Sequence, residues 1–278
     1  MYKIRIPIGI ALILLICGIL YLDYRTYTAY GSTIIISSFI FAALIEFYQM
    51  SKISNAFKKL ALWLVGILLV CSIISINLSQ YISPITSDVL QCISLFILFM
   101  VALKHNQEED ILNKLSITLF GFIFIYFFLN HLLLIRGFGI QGLYFLLILI
   151  FVAKSMDIGG YLVGKAFGKH RIAPSISPKK SWEGFWGGLT LCFITTYCLT
   201  SLFSTNITLS WWQILIFAPV TGILSFLGDL AESFIKRKFG VKDSGHILPE
   251  FGGFFDMIDS LLFVAPWGYY FFKFFLYF

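Results

Sequence analysis

The chain has 278 residues, of which 59% are hydrophobic, 18% aromatic and only 12% charged. A soluble domain carries about 25% charged residues, and 31 Phe against 20 Lys plus Arg leave too little charge to cover a water-facing surface. The composition excludes an ordinary soluble domain, and the formal charge of +6 reads as basic loops beside membrane spans rather than as a nucleic-acid surface.

From the N-terminus, Met1-Tyr2-Lys3-Ile4-Arg5 leads straight into an apolar run. It opens as a signal peptide does, but lacks small residues at a cleavage position before Tyr21-Leu22-Asp23, so a permanent first span is expected. A bilayer crossing needs roughly 20 apolar residues. Nine runs qualify as candidates: 6–22, 31–48, 60–77, 86–103, 115–135, 138–156, 185–202, 211–228 and 253–272. The fourth has Pro84 and Asp88 near its start, and the fifth contains Asn130 and His131. The predicted fold is all-α and polytopic, with about nine spans. Residues 1–135 would form N-terminal helices, and 136–278 a catalytic region with polar segments at 154–184 and 229–250.

Charge asymmetry sets the expected orientation. With the N-terminus cytoplasmic, Lys3, Arg5, Lys52, Lys58, Lys59, Lys104, Lys114 and both polar segments fall inside, and only Arg25, Arg136 and Lys273 outside. The protein is therefore expected in the cytoplasmic (inner) membrane, its polar segments facing the cytoplasm. Cys17, Cys71, Cys92, Cys192 and Cys198 all sit inside apolar runs with no CxxC pair, and read as small core residues. Glu46, at the end of the second span, reads as an acid reaching the interface.

Of the 14 acidic residues, Asp157, Glu183, Asp229, Glu232, Asp243, Glu250, Asp256 and Asp259 fall in the C-terminal half. Asp157 follows an apolar span directly, and an ionisable residue at a membrane boundary points to function. Gly159, Gly160, Gly164 and Gly168 come next and allow close backbone approach, either to another helix or to a ligand. Lys165, Lys169, His170, Arg171, Lys179 and Lys180 then form a basic cluster suited to phosphate groups. Attraction to anionic lipid is the plainer account of these charges. It leaves unexplained the accompanying Ser175, Ser177, two prolines and Trp182-Glu183-Gly184.

In the second segment, Asp229 and Glu232 share a helix face, and Glu232 stands four residues before Lys236 in the favourable pairing order. Asp256 and Asp259 repeat the i, i+3 spacing at the start of an apolar run. Such carboxylates repel one another unless a cation intervenes, and oxygen ligands of this kind suit Mg²⁺ joined to substrate phosphates. Acids for a metal and bases for phosphates together suggest phosphoryl or nucleotidyl transfer to a lipid headgroup. No Cys/His set suggests zinc, and no GxSxG elbow a serine hydrolase.

The ordered motifs within 226–261 carry a family resemblance: Gly228-Asp229, Glu232-Ser233, Lys236-Arg237, Gly240-Val241-Lys242-Asp243-Ser244-Gly245, Leu248-Pro249, Gly252-Gly253, Asp256 and Asp259-Ser260. Asp157, Gly159 and Tyr161, with Phe167-Gly168-Lys169-His170 and Ile176 to Gly184, reinforce it. The chain resembles the phosphatidate cytidylyltransferase (CDP-diacylglycerol synthase) family, firmly over residues 150–265. The resemblance implies an enzyme that uses CTP and phosphatidic acid, with Mg²⁺, to make CDP-diacylglycerol and pyrophosphate. It implies that Asp256, Asp259 and Asp229 hold the metal, with Asp157 in support, and that Lys242 belongs to the catalytic set. Lys169, Lys179, Lys180, Lys236 and Arg237 become candidate phosphate contacts, with Asp157, Glu183 and Asp243 on the substrate side. No general base is required if the attacking phosphate is ionised. The expected partners are the two substrates and the bilayer, with no nucleic acid, and a homodimer is compatible with the glycine-rich spans.

Two departures stand out. The family's Pro-Gly-His-Gly-Gly is Pro249-Glu250-Phe251-Gly252-Gly253 here, and its Asp-Arg is Asp256-Met257. Compensating bases could come from His246 or Arg171. A nucleotidyltransferase acting on another lipid phosphate, a weak homologue, or a transporter are the alternatives; the acids cluster at one boundary, which favours interfacial chemistry.

Overall fold

The computed structural model describes residues 14, 16–53, 55–78, 86–105, 107–108, 110–245 and 252–276. Past the helical residues 16–26, the elements are α1 (Tyr30–Met50), α2 (Asn55–Asn77), α3 (Thr86–Lys104), α4 (Ile111–Arg136), α5 (Gly139–Phe167), β1 (Arg171–Ala173), β2 (Ser177–Ser181), α6 (Trp182–Leu202), α7 (Trp211–Lys238), α8 (Phe254–Ile258) and α9 (Val264–Phe275). A 3₁₀ turn, Asp259–Leu261, separates α8 from α9. An addition to the helical expectation is the β1–β2 hairpin, antiparallel with Arg171 opposite Ser181.

The structure corrects the span count. Among the described residues six helices, not about nine, are long and apolar enough to cross a membrane: α1, α2 from Ala56, α4, α5, α6 and α7. The first predicted span, 6–22, lies largely outside the described residues. In α3, Asp88 in the first turn and Lys104 in the last leave a short apolar stretch between them. The ninth predicted span is broken into five-residue α8, the 3₁₀ turn and twelve-residue α9. Two local causes act at the break. The Ser260 N–H donates to Asp259 Oδ1 (2.5 Å), which competes with the helical ladder, and Pro266 has no N–H for the carbonyl of Leu262.

The chain divides into two compact units: Met1–Leu133 with Ser244–Phe255, and Leu134–Asp243 with Asp256–Phe278. In the first, α4 contains a π-helical stretch, Phe122–Phe127. Just before it, a side chain at Gly121 would meet the Phe47 ring at 2.7 Å, and nearby Tyr48 Oη donates to the Thr118 carbonyl (2.8 Å). At the start of α1, Asp23 accepts from Gly31 N (2.9 Å), Ser32 N (2.7 Å) and Ser32 Oγ (2.6 Å), satisfying amides that a helix start leaves open.

In the second unit, glycines bring α5 and α6 into backbone contact. A Cβ on Gly159 would lie 2.8 Å from the Gly187 carbonyl and 2.9 Å from Gly188 Cα, and one on Gly184 would lie 2.6 Å from the Gly160 carbonyl. Ser181 caps α6 by accepting from Gly184 N (3.2 Å), which joins the hairpin to the helix. Helix α7 crosses this pair, with Ser225 Oγ donating to the Ala153 carbonyl (2.9 Å). Phe145 stacks on Phe272 of α9 with centroids 4.4 Å apart. Gly228 of α7 is required for a different reason: any Cβ there would collide with the Asp259 carbonyl.

Candidate active site

The second unit gathers lysines and carboxylates from five elements, α5, β2, α7, α8 and the 3₁₀ turn. Lys154 of α5 donates to Ser260 Oγ (2.7 Å), and its ammonium is 3.6 Å from Asp157 and 3.7 Å from Asp259. Lys180 of β2 reaches Asp229 of α7 (2.8 Å) and lies 4.3 Å above the centre of the Phe226 ring. Lys236, one turn on from Glu232, lies 2.8 Å from that carboxylate and 2.5 Å from Asp256. Five carboxylates face three ammonium groups here. When all are ionised two negative charges remain, which one divalent cation would offset.

The residues fit such an ion. Asp229, Glu232 and Asp259 each offer an oxygen, all within 4.8 Å of one another. Glu232 is 1% exposed, and neither of its oxygens has a hydrogen-bond donor. The Lys236 ammonium is at ion-pair distance from Oε2 but off the direction of a hydrogen bond. A carboxylate at this depth whose one ammonium is shared with a second acid is only partly compensated, and an all-oxygen set suits a hard cation such as Mg²⁺ or Ca²⁺. Burial, followed by the charges of Asp229 and Asp157, pushes the Asp259 carboxyl well above the usual carboxylate range, while Lys154 opposes the rise.

Beside the cluster is a cavity of about 200 Å³ whose lining includes Asp157, Tyr161, Lys179, Lys180, Phe185 and Phe226. Asp229 belongs to both the cavity wall and the acid cluster. A metal-binding edge and a cationic, partly aromatic hollow therefore share one side chain.

The other residues singled out in the sequence have separate positions. Asp256 is held by Lys236 and is not among the three acids that converge. Glu183 accepts from Lys169 N (3.1 Å), His170 N (3.3 Å) and His170 Nδ1 (2.7 Å), and so ties the start of α6 to the turn before β1. Arg171 donates to the Lys179 carbonyl (2.8 Å) inside the hairpin, and Arg237 to that of Val241 (3.2 Å) at the end of α7. Lys169, Lys242 and Asp243 are exposed, and none lines the cavity. His246, Glu250 and Phe251 lie outside the described residues. The sequence reading paired Glu232 with Lys236 but left it out of the metal set, although its spacing from Asp229 was visible. Lys154, whose i, i+3 relation to Asp157 is equally visible, is not singled out there; Ser260 is named only within a motif, and the fold brings it to Lys154.

Fold and site together define a polytopic membrane protein whose buried carboxylates can hold a divalent cation beside a lysine-lined hollow, as enzymes acting on phosphate groups require. The Cytidylyltransferase family pattern matches residues 3–275. Among curated proteins, phosphatidate cytidylyltransferase of Staphylococcus haemolyticus (strain JCSC1435) is 33% identical over 234 residues, covering 82% of this chain and 86% of the relative. Proteins of the same description from Staphylococcus saprophyticus and Staphylococcus aureus (strain COL) are each 32% identical with the same coverage. The chain belongs to the cytidylyltransferase family and is an enzyme of that class, acting in lipid metabolism.

Proposed function

We propose that the protein transfers the cytidylyl group of CTP to phosphatidic acid, giving CDP-diacylglycerol and pyrophosphate. The observation that carries this reading is the sharing of Asp229 between the acid cluster and the cavity walled by Lys179 and Lys180. The names of the relatives support the choice of substrates.

A phosphatidate oxygen forms a bond to the α-phosphorus of CTP. The bond from that phosphorus to the bridging oxygen breaks, and the electron pair leaves with pyrophosphate. Asp229, Glu232 and Asp259 would hold Mg²⁺, which when bound offsets the charge developing between two anionic reactants. Lys180 and Lys179 supply point charges for phosphate oxygens, and the Phe185 and Phe226 rings give the hollow an apolar wall. Lys236 keeps Asp256 and Glu232 from repelling each other. An ionised phosphatidate needs no proton removed, so no side chain is assigned as base. The basic residues around the hairpin favour a site on the cytoplasmic face, where nucleotide is present.

The test is pyrophosphate release by purified protein in lipid-supplemented detergent. Release should need CTP, phosphatidic acid and Mg²⁺ together. Turnover with another lipid phosphate but not with phosphatidic acid would overturn the substrate assignment, and none with either would overturn the reaction.

A further inference from the structure

Lys154, on α5, has no role in the reaction above, yet its ammonium is set among oxygens. Its Nζ donates to Ser260 Oγ (2.7 Å) and lies 3.6 Å from Asp157 Oδ2 and 3.7 Å from Asp259 Oδ1. Asp157 is one turn along the same helix, and Asp259 and Ser260 are neighbours on the 3₁₀ turn. Both of these last two are buried, Ser260 completely. All four residues belong to the second unit. An ammonium has three donors and no acceptor, so oxygens are the partners it requires. Two carboxylates and a hydroxyl around one point are also what a hard metal cation takes.

The three lysines of the site have different partners. Lys180 pairs with Asp229 at the cavity wall, and Lys236 joins Glu232 to Asp256. Lys154 joins Asp259, one of the three acids that converge, to Asp157, which lines the cavity but is not one of them. It therefore stands at the edge of the candidate metal set, its charge tethered to the helix. The charge balance depends on it. With Lys154 in place, five carboxylates and three ammonium groups leave two negative charges, which one divalent ion offsets. Without it three would remain, and a second cation would be drawn to Asp157 and Asp259.

We propose that Lys154 stands in for a second cation: its ammonium fills the oxygen set of Asp157, Asp259 and Ser260 and limits the site to one divalent ion. The proposal rests on the reading of Asp229, Glu232 and Asp259 as a metal site. A lysine that only tied α5 to the 3₁₀ turn would lower metal binding when removed. One that occupies a cation's place does the opposite, and its removal adds an ion.

Equilibrium dialysis of the purified full chain against Mg²⁺, without substrates, counts the ions directly. The wild-type protein should bind one Mg²⁺ per chain and Lys154→Ala two, while Lys154→Arg, which keeps the charge, should bind one. Lys154→Gln, neutral and shorter than lysine, should also bind two, and serves if the alanine variant folds poorly. Ammonium chloride should weaken the second ion of Lys154→Ala about tenfold relative to choline chloride at equal ionic strength, because ammonium restores the group removed. The wild-type ion should change by less than about twofold in the same comparison. One Mg²⁺ or none in both neutral variants, beside one in the wild type, overturns the proposal. Two in the wild type overturn it as well, since the lysine then excludes nothing. No Mg²⁺ bound by the wild type would sink the metal reading itself, and the proposal with it.

Discussion

Glu46 and Glu232 are both 1% exposed carboxylates on long apolar helices, yet the two are built in opposite ways. Glu46 has three donors directed at it and no neighbouring acid among its contacts. Glu232 has a single cationic neighbour, Lys236, shared with Asp256, no backbone amide directed at it, and sits with Asp229 and Asp259. Burial alone thus says little about function; what matters is whether the buried oxygens are already satisfied. A satisfied carboxylate organises the backbone, and an unsatisfied one among other acids is prepared for a cation.

The sharpest way to break this contrast is to neutralise the acids. Asp259→Asn and Glu232→Gln should each lower pyrophosphate release about a thousandfold, because several kcal/mol of metal-borne stabilisation is lost. Both should also abolish the thermal shift produced by Mg²⁺. A normal Mg²⁺ shift in Glu232→Gln would mean that its open oxygens face nothing functional.

A smaller effect is expected at Lys180, which touches Asp229 and the cavity. Lys180→Met should reduce kcat/KM by about 10- to 100-fold, and Lys180→Arg should recover part of the loss, since it restores charge but not shape. Steady-state kinetics in both substrates would show it. Gly228→Ala should destabilise the protein by about 1–3 kcal/mol, because the new methyl group collides with the Asp259 carbonyl. Thermal unfolding measures that cost, and activity should fall with it as Asp259 is displaced. At the far end, Lys114→Ala should leave unfolding and turnover unchanged. Its 2.6 Å pair with Glu108 is exposed, and such pairs contribute little.

Apolar runs reveal where a helix can cross a bilayer, and those at 138–156 and 211–228 end just before Asp157, Asp229 and Glu232, which the structure places on the continuations of α5 and α7. They failed at 253–272, where composition is continuous but Ser260 N turns to Asp259 Oδ1 and Pro266 interrupts the ladder. Short-range spacing exposed the Asp229–Glu232 face. It could not show that Asp259 would join that face while Asp256 went to Lys236, because this depends on α7 meeting a turn through Gly228. Glu46 was the least legible, since none of its partners is nearby in sequence and an acid at a span end has an easy explanation in snorkelling.

The glycine seam between α5 and α6 has a consequence for how sensitivity to substitution should be interpreted. Gly159 and Gly184 offer no functional group, yet a single methyl at either would meet main-chain atoms of the opposite helix rather than a side chain able to swing aside. The hairpin bearing Lys179 and Lys180 is joined to the end of that seam through Ser181. Mutational scanning should therefore find intolerance at positions with no chemistry of their own, and a map of essential residues would trace the tolerances of the frame as clearly as the reactive groups mounted on it.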